Sequence, residues 1–161
     1  MVLDFNKLPG ESRVWIYQSD RAFTAEEVIT IEDKLKSFVS GWTHHGDALN
    51  GASVVKHNQF IVLGIDENTT GASGCSIDSS VFFIKEIEKQ FNVQLLDRMQ
   101  TAFRSNEAIE VVSLANFMSL VKENKIIEDT VVFNNLVATK AEFDTQWEVS
   151  AKQSWHKRYF N

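Results

Sequence analysis

Ser53-Val54-Val55-Lys56-His57-Asn58-Gln59-Phe60-Ile61-Val62-Leu63-Gly64-Ile65 is the stretch that decides the fold. Its two apolar, β-branched runs, Ser53-Val54-Val55 and Phe60 to Ile65, flank His57-Asn58 and predict a β-hairpin, although His57-Asn58 is not the strongest type of turn pair. Upstream, Arg13-Val14-Trp15-Ile16-Tyr17-Gln18 follows the Pro9-Gly10 turn signal and predicts a first strand, central because both of its faces carry bulk. Between strand and hairpin, Thr24-Ala25-Glu26-Glu27 is a capping box, in which Thr24 and Glu27 satisfy each other's free backbone donors. Val28, Ile31, Leu35 and Phe38 then recur at helical spacing, with Gly41 as the stop.

The polar run from Trp42 to Gly51 is expected to be a loop. A second loop, Asp66 to Gly74, leads into a helix with Ile77, Val81, Ile84 and Phe91 on one stripe, capped by Ser76 or Asp78. Further on, Val93-Gln94-Leu95-Leu96 and Ala108-Ile109-Glu110-Val111-Val112 read as strands, and Leu114 to Lys122 as a short helix capped by Ser113. Val131-Val132-Phe133 and Leu136-Val137 suggest a last strand. Thr139-Lys140-Ala141-Glu142 repeats the capping box ahead of Phe143, Trp147 and Ala151, so a terminal helix is expected. The fold class is therefore α+β, a mixed or antiparallel sheet with helices packed on it. The order strand, helix, hairpin, helix, strand is compatible with a ferredoxin-like core carrying a C-terminal extension.

A chain of 161 residues with 43% hydrophobic side chains can bury a full core, and with one proline and no repeat the default is a single domain over residues 1–161. A division near residue 105 is the alternative. The net charge of −6 opposes general affinity for nucleic acid and for anionic membrane surfaces. Trp155-His156-Lys157-Arg158-Tyr159 is the one place where cations alternate with aromatics able to stack on bases, and it also reads as a solvated helix end. A single cysteine, no signal-like N-terminus and no membrane-length apolar run make the cytoplasm the expected location.

Candidate chemistry gathers at Ala72-Ser73-Gly74-Cys75-Ser76-Ile77-Asp78-Ser79-Ser80, where small residues and free amides at a helix start can hold an anion. Ser73, Gly74, Ser76 and Asp78 are the ligand-binding candidates there, with Asp66 from the preceding strand end and Arg98 as a cation for carboxylate or phosphate. A thiol at that helix start is favoured as thiolate, which makes Cys75 the candidate nucleophile; the same residue also reads as a small buried apolar group. His44-His45-Gly46-Asp47 offers a general base for it, or part of a metal site. Neighbouring side chains of an extended segment point to opposite faces, so a metal would need ligands from elsewhere, and no metal or cofactor is assigned.

Taken together, Ser12 to Arg21, His45-Gly46, Asp66-Glu67 and Ala72 to Ser80 resemble a family of short uncharacterised bacterial proteins that often carry the label ABC transporter ATPase. The resemblance covers most of the chain, and the serine-cysteine stretch is its most specific part. That label implies nucleotide hydrolysis, but an ATPase of that class needs a Walker A loop and a longer chain, and this sequence has neither. No catalytic residue is carried over. The expectation is a protein that binds a small ligand or a partner through the loops around His45, Asp66 and Cys75. The alternatives are an enzyme acting on an acyl or phosphoryl group with Cys75 as nucleophile and His44 or His45 as base, and a structural homodimer covering exposed Trp42, Trp155 or Phe160.

Overall fold

Phe60–Asp66 forms a strand in which Phe60 to Leu63 and Ile65 are fully buried. A strand buried along its length must be covered on both faces and paired on both edges. In the computed structural model, which describes residues 1–161, both conditions are met. β1 (Arg13–Gln18) and β4 (Asn50–Lys56) pair antiparallel with β5 (Phe60–Asp66), giving the sheet order β1-β5-β4. The register, Trp15 opposite Leu63 opposite Ser53, puts Trp15, Tyr17, Ile61, Leu63 and Ile65 on one face. There they meet Ile31, Leu35 and Val39 of α1 (Ala25–Ser40) and Ile84 and Ile87 of α2 (Gly74–Phe91). On the other face the N-terminal segment lies over Gly64, where an added Cβ would come within 2.6 Å of Leu8 Cδ1 and 3.4 Å of Phe5 Cε2.

Local signals set these elements. The hairpin turn uses His57 and Asn58, both left-handed at φ 52° and 54°, the signs a type I′ turn requires, and Gln59 N–H donates to the Lys56 carbonyl at 3.0 Å. The Thr24–Glu27 capping box forms as expected. Arg21 extends it by donating to both Glu27 oxygens, at 2.8 and 2.9 Å, and to the Phe91 carbonyl at 2.6 Å, so one guanidinium ties the start of α1 to the end of α2. That hydrogen bond from Arg21, with the backbone bond at Thr24, holds the Glu27 carboxyl down at about 2.

The contacts divide into two compact units. Unit 1 is Met1–Leu96 with Ala138–Ala141, and unit 2 is Asp97–Val137 with Glu142–Asn161. The α+β class holds, with antiparallel sheets, but a ferredoxin-like core is not confirmed. Unit 1 keeps the split strand-helix-strand arrangement, in which parallel β1 and β4 flank β5, and lacks the fourth strand. The outer edge of β1 instead takes a single bridge, Arg13 to Thr139, flanked by Val14 N–H to the Ala138 carbonyl at 3.0 Å and Lys140 N–H to the Ser12 carbonyl at 2.8 Å. The expected strand at Val93–Leu96 is not a strand: Val93 and Leu95 are buried, but the amides of Leu95 and Leu96 donate to Glu88 Oε2 at 2.7 and 3.2 Å.

Unit 2 holds the antiparallel sheet β7-β6-β8-β9, built from β6 (Gln100–Ser105), β7 (Ala108–Ser113), β8 (Val131–Phe133) and β9 (Glu148–Ser150). α3 spans Leu114–Lys122 and is capped by Ser113, as expected. Leu136 is 72% exposed and lies outside any strand. The expected terminal helix is much shorter: α4 (Lys140–Gln146) stops before Trp147, whose carbonyl accepts from Asn134 N–H at 2.7 Å and whose indole donates to Asn135 Oδ1 at 2.9 Å, so the chain turns into β9. After β9 come two short 3-10 turns, Ala151–Gln153 and Trp155–Tyr159. The second of these is no solvated helix end, because His156 is fully buried, stacked on Trp155 with ring centroids 3.8 Å apart. Burial lowers the His156 imidazole to about 4, with the nearby Arg158 charge acting in the same direction.

Gly64→Ala is expected to cost about 1 to 3 kcal/mol in urea unfolding, and clearly less in a Leu8→Ala background, because the added methyl then has room. Equal costs in both backgrounds would remove Leu8 from the face over Gly64. Because folded His156 resists the proton that the unfolded chain accepts near 6.5, stability is expected to fall as pH drops from about 6.5 to 4, by up to about 3 kcal/mol. His156→Gln should flatten that part of the stability profile, measured by denaturant midpoints.

Candidate functional site

Thr43-His44 and Asp47-Ala48 are not a loop but a short hairpin, β2 (Thr43–His44) and β3 (Asp47–Ala48), with His44 paired to Asp47 across a two-residue turn. His45 at φ 50° and Gly46 at φ 87° form that turn, and glycine meets the left-handed requirement at no steric cost. The left-handed step at His45 overturns the expectation that the two imidazoles face apart. Their rings meet edge to face, with centroids 4.3 Å apart.

The hairpin is fastened to the first turn of α2 by three groups. The buried Trp42 indole N–H donates to the Ser76 carbonyl at 2.9 Å, and Ser76 Oγ donates to the Thr43 carbonyl at 2.8 Å. Ser76 Oγ also accepts from Ser73 N–H at 3.3 Å, while Ser73 Oγ accepts from Ser76 N–H at 3.2 Å, a reciprocal cap built from two serines. Ser73 is therefore the N-cap, in place of Ser76 or Asp78. The buried face of α2 is also rotated from the apolar stripe: Ser76, Ser80, Ile84 and Ile87 are buried, and Ile77 and Val81 only half-buried. Buried serines are tolerated because each hydroxyl is used, that of Ser80 on the Ile77 carbonyl at 2.6 Å.

Each candidate residue now has a place. Gly74, Cys75 and Asp78 are exposed on the first turn of α2. His45 is exposed, and His44 is half-buried with an Nδ1 that is buried and without a hydrogen-bond partner. Asp66 Oδ1 accepts from the Asn68 amide at 3.0 Å and from Asn68 Nδ2 at 2.7 Å, so it shapes the turn after β5. Glu67 closes the same loop by accepting from Ala72 N–H at 2.9 Å, and lies 3.5 Å from Arg13 Nε. Arg98 is an exposed residue of unit 2. No group of three or more His, Cys, Asp and Glu side chains is arranged to hold a metal ion.

Trp42 belongs to the core. Expected as an exposed residue for a dimer surface, it is 2% exposed, packed against Trp15 at 6.0 Å and Phe38 at 5.1 Å. Its position directly after the Gly41 stop was the available signal, since a large apolar residue there folds back onto the helix it follows. Comparison with family models, with curated sequences and with solved structures gives no match. No helix of the chain is long and apolar enough to cross a membrane.

Ser76→Ala is expected to destabilise unit 1 by about 1 to 3 kcal/mol, because it strands the Thr43 carbonyl and the Ser73 amide together. Amide exchange over Thr43–Ala48 should quicken along with it. Unchanged exchange in that hairpin would mean that Ser76 is not its fastening.

Proposed function

We propose that this protein is a binding module, and that the corner made by β2 and the first turn of α2 takes a hydrogen-bond-accepting group, a carboxylate or phosphate, of a small ligand or a partner. The observation that carries this reading is the fastening by Trp42, Thr43 and Ser76. It holds a pair of imidazoles, of which that of His45 is exposed, at a helix start whose Gly74 and Cys75 are exposed. Helix-start amides and neutral imidazole N–H groups donate toward acceptors of this kind without further rearrangement. Ser73 and Ser76 support the site rather than touch the ligand, because their hydroxyls are already used, while Asp66 has its Oδ1 taken by Asn68. His44 is the weaker of the two candidate bases for Cys75, because a general base is normally oriented through its second nitrogen and His44 Nδ1 lacks such a partner.

Titration of the labelled protein with acetate and with inorganic phosphate tests the proposal. The amides of Gly74 and Cys75 and the His44 ring signals are expected to shift together with one saturating curve, and His44→Ala with His45→Ala to abolish the response. No shift at these positions at tens of millimolar of either anion would reject it. Rapid alkylation of native Cys75 by iodoacetamide near pH 6 would replace it with the nucleophile reading.

A further inference from the structure

A cleft of about 470 Å³ lies within unit 2, between α3 and the C-terminal 3-10 turn. Its size is within the range that holds small ligands. Met118, Tyr159 and Phe160 supply apolar wall, and Lys122, Arg158 and Glu128 supply charge. In a chain of net charge −6, the charged side chains that line this cleft are two cations and one acid. Arg158 turns its Nε to the Trp155 carbonyl at 3.3 Å and sits over the Trp155 ring, so its guanidinium is held without a carboxylate. Both cations are exposed, so each gives an anion a modest, solvent-screened attraction, and contact with the apolar wall adds to it.

The apolar side is held in place before any ligand arrives. Tyr159 lies edge-on to Phe117 and to Trp155, each with centroids 6.1 Å apart, and Trp155 in turn stacks on buried His156. Tyr159 and Phe160 also pack against the unit 2 core of Phe103, Phe117, Ile126, Val132 and Ala151. A wall so fixed loses little side-chain entropy when a ring or chain settles on it. The cation-aromatic alternation of Trp155 to Tyr159, which in the sequence suggested base stacking, thus places Arg158 and Tyr159 on one cleft.

We infer that this cleft is a binding site for a small molecule with an apolar, ring-sized body and one anionic head group, the head set against Lys122 and Arg158 and the body against Tyr159, Phe160 and Met118. It is distinct from the corner in unit 1, and neither reading depends on the other. The probes are 2-naphthoate, its neutral isostere 2-naphthamide and inorganic phosphate, each titrated into the full chain and followed by backbone amide shifts. Naphthoate is expected to shift the amides of Lys122 and of Arg158 to Phe160 and to bind about tenfold more tightly than naphthamide, with phosphate weaker than naphthoate.

Lys122→Gln and Arg158→Gln, at surface positions, should erase most of that tenfold margin, weakening naphthoate binding far more than naphthamide binding. Glu128→Gln should strengthen naphthoate binding by removing the opposing charge. Equal binding of acid and amide, shifts that map outside the cleft, or no binding of naphthoate at millimolar concentration would each overturn the inference. Phosphate binding as tightly as naphthoate would overturn the part assigned to the apolar wall.

Discussion

The complete burial of β5 is the constraint on which unit 1 depends. A strand with no exposed face obliges two helices to cover one side, the N-terminal segment to cover the other at Gly64, and β1 and β4 to occupy its edges. Gly64 belongs to this constraint, since the close approach of Leu8 and Phe5 leaves no room for a side chain. The same requirement explains why residues 138–141 return to unit 1: β1 is otherwise an edge, and one bridge with flanking amide bonds covers part of it. The corner built on Trp42 and Ser76 is a consequence too, because Trp42 reaches α2 only when α1 and α2 lie on one sheet face.

Where local chemistry and burial agree, the sequence discloses the element. The Thr24 capping box, the His57-Asn58 hairpin and the Ser113 cap of α3 are all signals that a few adjacent residues carry in full. Errors arose where tertiary partners outvoted local pattern. Val93 and Leu95 alternate like a strand because they are buried like one, yet a side chain, Glu88, takes their amides. β6 went unrecognised because its Gln100, Arg104 and Ser105 mask a buried Thr101-Ala102-Phe103 centre. The end of α4 depends on Asn134 and Asn135, more than ten residues upstream, which no helical periodicity can reveal.

The candidate corner was legible in part. Small residues at a helix start marked α2 and exposed Cys75, and the two histidines were singled out for their chemistry. What the sequence could not show is that a left-handed His45 brings the rings together, which depends on the turn the chain adopts at His45-Gly46, or that the Ser76 hydroxyl binds the hairpin to the helix, which depends on a contact 33 residues apart. In unit 2 the aromatic and basic run was visible, but its division into a buried His156 and a cleft-facing Arg158 and Tyr159 follows only from the 3-10 turn that carries it.

Hydrogen exchange of unit 1, resolved to single amides, tests most directly whether β5 is the element on which the rest is built. The slowest exchange should fall on residues 60 to 65, with rates there matching global unfolding, while β4 and the β2–β3 hairpin open earlier through smaller fluctuations. If α1 or the β4 edge retained its amide protons longer than residues 61 to 63, the account of a sheet organised around its buried central strand would be contradicted.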